Sequence, residues 1–120
     1  VHVWEHLARW ECDEVAAEWL RLLKPGGQLV LELPDALKCA RNLIDYASRG
    51  GKLLQQQAVW GLWGDDTLRD PYMLHRHGWW PASLEDYLAQ HGFGRIKHAP
   101  TVWHPAGRAH RDMRIEARKI

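Results

Sequence analysis

The sequence predicts an α/β fold: strand, helix, strand and helix in order, closed by two antiparallel strands. Three observations carry this expectation. Val15, Ala16, Trp19, Leu20 and Leu23 recur at helical spacing with charged residues between them. Residues 28–33 form a short, mainly apolar run that reads as a central strand covered on both faces. Near the end, Met113, Ile115 and Ala117 alternate with Arg114, Glu116 and Arg118, the period-two pattern of a half-exposed strand.

Each element has a physical reason in the sequence. Residues 1–4 are a short apolar stub that reads as the end of a strand. The helix over 11–24 stops at Lys24-Pro25-Gly26-Gly27, a cation in the last turn followed by residues that cannot continue it. Pro34 closes the strand, because proline cannot donate into a ladder. Asp35 is a good N-cap for a helix on which Ala36, Leu37, Ala40, Leu43, Ile44 and Ala47 repeat, with Gly50-Gly51 as its stop. Residues 52–60 suit one more short helix. Residues 61–80 are rich in Gly, Asp, His and aromatics with little period, and such stretches inside a domain are usually functional or poorly ordered. Ser83 to Asp86 reads as a variant capping box, and Gly92 with Phe93 as the matching helix end. A strand over 95–99 and a long connection over 100–111 lead into the last strand.

Composition sets bounds on function. A chain of 120 residues is predicted to be a single domain over 1–120 with one core. A net charge of +1 supports neither a nucleic-acid nor a membrane partner, and no apolar run reaches the roughly 20 residues of a membrane span. There is no secretory-type leader, and Cys12 and Cys39 are far apart, so a reducing, cytoplasmic setting is expected. A start at Val1 is what a trimmed chain, a natural fragment or a processed terminus would each show. Eight tryptophans are more than a small core readily absorbs, so some are expected at a subunit interface or in a cleft. Eight histidines include His75 and His77, with His98, His104 and His110 scattered, but no zinc-type spacing is present and no metal site is expected. Hydrolase and nucleotide-triphosphatase motifs are lacking.

An ordered set of short motifs resembles the second half of a class I S-adenosylmethionine-dependent methyltransferase of the type 11/12 kind. Trp4-Glu5-His6-Leu7 is similar to the Leu-Glu-His-Leu after that family's fourth strand. Leu22-Leu23-Lys24-Pro25-Gly26-Gly27 is similar to the Leu-Lys-Pro-Gly-Gly that leads into the fifth. Gly61-Leu62-Trp63-Gly64-Asp65, His75-Arg76-His77-Gly78-Trp79 and the helix ending at Gly92-Phe93 resemble what precedes the last two strands. The resemblance implies a partial Rossmann-like sheet with a reversed final strand, flanked by helices and binding ligand at the carboxyl ends of its strands. The family's glycine-rich turn and its ribose-binding acid would lie upstream of Val1. Gly26-Gly27 cannot replace that turn, because it precedes a strand instead of opening a helix after one.

On this resemblance Trp4 would contact the cofactor S-adenosylmethionine, His6 would serve as base with Glu5 beside it, and the acceptor would be a small molecule. Glu5 and His6 equally suit the capping and solvation of the following helix. Asp35 would lie at the ligand edge of the sheet, although N-capping also explains it. Trp63, Asp65, His75 and Trp79 would form an acceptor lid or a packed surface loop. Two readings stand: the carboxyl-terminal part of a small-molecule methyltransferase, inactive alone, or a non-catalytic α/β module for oligomerisation or ligand binding. Both predict a homodimer or higher oligomer, because a strand left with an open edge pairs with whatever is available.

Overall fold

Alternation along three strands decides the architecture. The computed structural model describes residues 1–103 and 109–120; His104 lies outside the described residues. Strands β1 (Gln28–Pro34), β2 (Phe93–Ala99) and β3 (Asp112–Lys119) form a sheet in the order β1-β3-β2, with β3 antiparallel to both neighbours. β1 and β2 therefore run in the same direction. Leu29, Leu31 and Leu33 stand opposite Ala117, Ile115 and Met113, and directly opposed residues share a face. That face packs with helices α1 (Cys12–Leu22) and α5 (Pro81–Gln90), where Ala16, Leu84, Tyr87 and Leu88 complete the core. The chain is thus a mixed α/β structure with a small antiparallel sheet flanked by helices.

β1 is an edge strand among the described residues, which corrects the expectation of a central one. Its leucines point to the core, while Val30 and Glu32 share the other face with Glu116 and Arg114. Glu32 is buried all the same. Its carboxylate accepts hydrogen bonds from the N–H groups of Val102 (2.7 Å) and Trp103 (3.1 Å) and from the Arg114 guanidinium (3.2 Å). Arg114 in turn lies 4.6 Å from the centre of the Trp103 ring. A charge leaves water without a large penalty only when it is given donors of this kind.

The expected strand at residues 1–4 is absent. A 3₁₀ turn (Trp4–His6) takes its place and carries Trp4 into the core, leaving one sheet-like bond from the His2 N–H to the Glu32 carbonyl (2.8 Å). α1 leads through Gly26, at φ +77°, into β1. Asp35 caps α2 (Ala36–Arg49), its carboxylate accepting from the N–H groups of Leu37 (2.9 Å) and Lys38 (3.4 Å). Gly50 ends that helix at φ +67°. α3 (Lys52–Gln55), a π-helical turn (Gln56–Trp60) and α4 (Gly61–Trp63) follow one another without a break.

Two short polar residues organise the stretch that lacks a period. Asp65 and Asp70 each accept the N–H two residues on and open 3₁₀ turns at Asp66–Leu68 and Pro71–Met73. A bridge between Gly64 and Leu74 then closes the loop. α5 begins one turn earlier than the sequence suggests. Pro81 takes the first helical position, and the Ser83 hydroxyl accepts from the Trp80 N–H (2.9 Å) instead of capping the helix itself. Cys12 and Cys39 are fully buried free thiols, and burial pushes their pKa values up to about 11 and about 12. No helix among the described residues is long and apolar enough to cross a membrane.

Candidate functional site

The carboxyl end of β1 opens into a cleft of about 280 Å³. Glu5 and His6 line it from the first 3₁₀ turn, Trp60 from the π-helical turn, Asp65 and His75 from the aperiodic loop, and Arg111 from the entry to β3. Backbone bonds hold these distant segments together. The Arg76 N–H donates to the Glu5 carbonyl (2.8 Å), the His75 N–H to Trp63 (3.2 Å), and the Asp35 N–H to Arg111 (2.8 Å).

The side chains are oriented with equal definition. His6 Nδ1 lies 3.0 Å from the Leu74 carbonyl and His75 Nδ1 lies 2.9 Å from the Gly61 carbonyl. A carbonyl oxygen can only accept, so both Nδ1 atoms carry the proton. The two rings meet edge to face with centroids 4.8 Å apart. Burial lowers the pKa of His75, which keeps the imidazole neutral near pH 7. Glu5 is 2% exposed; its Oε1 takes a bond from His2 Nδ1 (2.9 Å), while its Oε2 is buried with no hydrogen-bond partner. Trp60 Nε1 is a second buried, unpartnered polar atom on the residues of this cleft.

Behind the cleft lies a charged cluster. Asp112 is fully buried and accepts from Arg111 Nε (2.8 Å) and Nη2 (3.4 Å) and from His2 Nε2 (3.0 Å). Burial raises the Asp112 pKa, but the His2 and Arg111 bonds outweigh it and hold the carboxyl below its usual range. For His2, burial works against the charged form, and bonds to Asp112 and Glu5 more than offset it, so its pKa is raised.

Four of the expected site residues, Glu5, His6, Asp65 and His75, come together here. The other four stand elsewhere. Trp4 is 1% exposed and packs among Trp19, Trp79 and Tyr87 with ring centroids 5.2–6.0 Å away, so it belongs to the core and not to the cleft wall. Trp79 is buried in the same cluster. Asp35 is occupied as the α2 cap, and Trp63 is more than half exposed. Sequence reasoning missed Trp60, Arg111 and His2. Arg111 carried a readable signal, since it adjoins the acid that starts a strand; His2 and Trp60 gave none.

No family model matches the chain, and no curated protein or solved structure matches it.

Two outcomes follow from this geometry. The folded Asp112 carboxyl contributes stability above the unfolded value near pH 4, which is lost as pH falls through the lower folded value. The raised His2 contributes fully below about pH 6.5 and loses that contribution as pH rises through its folded value. The cluster's support is therefore greatest between about pH 4 and about pH 6.5. Urea unfolding across pH is expected to show Asp112→Asn about 3 kcal/mol less stable at pH 6, with a flatter acid limb. Gly61 has ordinary helical φ, yet a Cβ there would collide with Cys39 Sγ and the Arg111 side chain. Gly61→Ala is expected to cost about 2 kcal/mol in the same assay, because the core has no space to yield.

Proposed function

We propose that this chain is the carboxyl-terminal part of a class I S-adenosylmethionine-dependent methyltransferase for a small acceptor. The observation that carries the reading is the cleft at the carboxyl end of β1, where Glu5, His6, Asp65 and His75 converge from separate segments. Open α/β sheets bind ligands at that end of their strands. The strand directions add support, since β3 runs opposite to β1 and β2 as a reversed final strand requires.

The chain's own residues fit the acceptor side of such a site and not the cofactor. The cleft volume is at the small end for a ligand site. Trp4 and Asp35 are committed to core and cap, and Gly26-Gly27 leads into β1 instead of out of it. No step is therefore derived through the cofactor. What these residues do is position and hold a proton. His6 Nε2 lies 3.8 Å from Glu5 Oε1, so a proton that it takes from an acceptor hydroxyl or amine would be stabilised by the carboxylate. Trp60 Nε1 and Glu5 Oε2 are one buried donor and one buried acceptor without partners, on residues that line the cleft.

The test pairs two chains. S-adenosylmethionine and S-adenosylhomocysteine are titrated calorimetrically into the 120-residue chain and into a chain extended by the residues encoded upstream of Val1. The expected result is micromolar binding by the extended chain only, with a glycine-rich turn after its first strand. An extended chain lacking that turn and giving no heat would sink the reading.

A second reading rests on the outer edge of β1. The Glu32 carbonyl points outward to the His2 N–H, so the backbone groups of Val30, two residues away, face the same open edge. The methyltransferase reading fills that edge with further strands; the alternative fills it with a second copy in a homodimer. Light scattering at micromolar concentration is expected to show a dimer of the 120-residue chain, and Val30→Pro is expected to make it monomeric without unfolding it. A monomeric wild-type chain excludes pairing through this edge.

A further inference from the structure

We propose that Glu5, His6 and His75 form a binding site for one divalent transition-metal ion, with zinc as the representative ion. The inference does not rest on methyl transfer. Among the described residues, these three offer ligand atoms that all lie within 4.8 Å of one another. They face a cleft of about 280 Å³, so an ion held there would keep room for a water or a substrate atom.

The hydrogen bonds make the three residues ligands in waiting. In protein metal sites, a ligating histidine nearly always donates its other ring N–H to a carbonyl or carboxylate, which fixes tautomer and ring plane. His6 and His75 both do this, through Leu74 and Gly61, which makes Nε2 the ring nitrogen of each that an ion would meet. The donor pattern is shared across the site, because the carbonyl that holds His6 belongs to the residue before His75. Glu5 is oriented in the same fashion. His2 binds its Oε1, which lies 3.8 Å from His6 Nε2, and leaves Oε2 buried without a hydrogen-bond partner. A buried carboxylate oxygen without a donor is costly in a low-dielectric setting, and a cation removes that cost.

The donor set selects the class of ion. Two imidazole nitrogens and one carboxylate suit zinc, cobalt, iron or nickel and not the all-oxygen preference of magnesium or calcium. Ligand atoms around a tetrahedral ion stand roughly 3.4 Å apart for bonds of about 2.0–2.1 Å. A pair at the 4.8 Å limit must draw in by about 1.4 Å for such an ion to bind. His98 and His91 do not compete as equivalents, since each faces a single carboxylate, from Glu85 and Asp13 respectively. Binding of an ion would use the His6 lone pair, so the proton-accepting role described above and the ligand role exclude each other on one molecule. A metal-bound acceptor hydroxyl would lose its proton more readily by Lewis-acid polarisation.

The test is a zinc titration of the metal-stripped 120-residue chain by calorimetry near pH 7.5, with cobalt absorption as a report on geometry and no S-adenosylmethionine present. One equivalent is expected to bind at micromolar affinity or better, with cobalt giving the intense visible bands of a four-coordinate site. Glu5→Gln and His75→Ala are each expected to weaken binding at least about 100-fold, beyond the loss typical of a supporting residue. His98→Ala is expected to leave it unchanged. Because a variant can lose its fold, the wild-type chain is also followed by nitrogen-correlated NMR of the histidine rings. One equivalent of zinc is expected to shift Nε2 of His6 and His75 while both Nδ1 atoms stay protonated. The absence of binding, affinity unchanged by both substitutions, or shifts on other histidines instead of these two would each overturn the assignment. A failed titration leaves the methyltransferase reading intact, and a failed cofactor titration leaves the metal site intact.

Discussion

Asp112 is the residue on which the geometry of the cleft depends. It begins β3 opposite Pro34, the last residue of β1, and its carboxylate is fully out of water. Such a charge is tolerable only when donors surround it. Those donors come from two places: Arg111 beside it in sequence, and His2 from the other end of the chain. The Asp112 carbonyl accepts from Lys38 Nζ (2.8 Å), which ties the start of α2 to the same point. His2 then reaches onward to Glu5. One residue, through its carboxylate and its backbone carbonyl, thus ties together the amino-terminal turn, the sheet end and the start of α2.

A second constraint works from the apolar side. Trp4, Trp19, Trp79 and Tyr87 form one aromatic cluster in which the Arg9 guanidinium lies 4.5 Å from the Tyr87 ring centre and 5.5 Å from that of Trp79. A cation over aromatic faces adds attraction to what area burial already supplies. Because Trp4 is anchored in this cluster, the next two residues have little freedom of placement. Glu5 and His6 are directed to the cleft as a consequence, since a 3₁₀ turn sends successive side chains in different directions. Packing of the residue expected to meet a cofactor therefore positions the residues that stand at the cleft.

Much of the fold was legible in the sequence because local rules agreed with the packing. The apolar stripe of α1, the Asp35 cap, the glycine stops and the alternation of β3 all express local needs within a few residues. The failures share a different cause. β1 looked central because residues 28–33 hold too few polar positions for a half-exposed strand, yet the one acid among them, Glu32, is covered by residues 102–103 and Arg114, more than 65 positions away in sequence. The start of α5 was missed because a serine near a helix start can cap it or support the residue that does, and only the structure separates the two. The site divides in the same manner. Glu5, His6, Asp65 and His75 were readable as residue types within short motifs. Their convergence depends on the Gly64–Leu74 bridge and on the bond from Arg76 to Glu5, and no local pattern encodes either.

The aperiodic stretch 61–80 shows why loss of period can coincide with precision. A helix or strand would have satisfied the carbonyls of Gly61 and Leu74 within its own ladder. The end of α4 after Trp63 and the irregular path beyond it leave both carbonyls free to accept the Nδ1 protons of His75 and His6. Gly61 is needed for the first of these, since any side chain there would strike Cys39 and Arg111. The same geometry gathers ligand atoms of Glu5, His6 and His75 within 4.8 Å of one another and leaves Glu5 Oε2 without a hydrogen-bond partner. Buried polar groups are normally paired, and unpaired ones in native proteins mark positions where something else supplies the partner. Here one such position, Glu5 Oε2, belongs to a residue that lines the cleft beside His6 and His75. The cleft thus brings a carboxylate and two imidazoles from two distant chain segments to within 4.8 Å of one another.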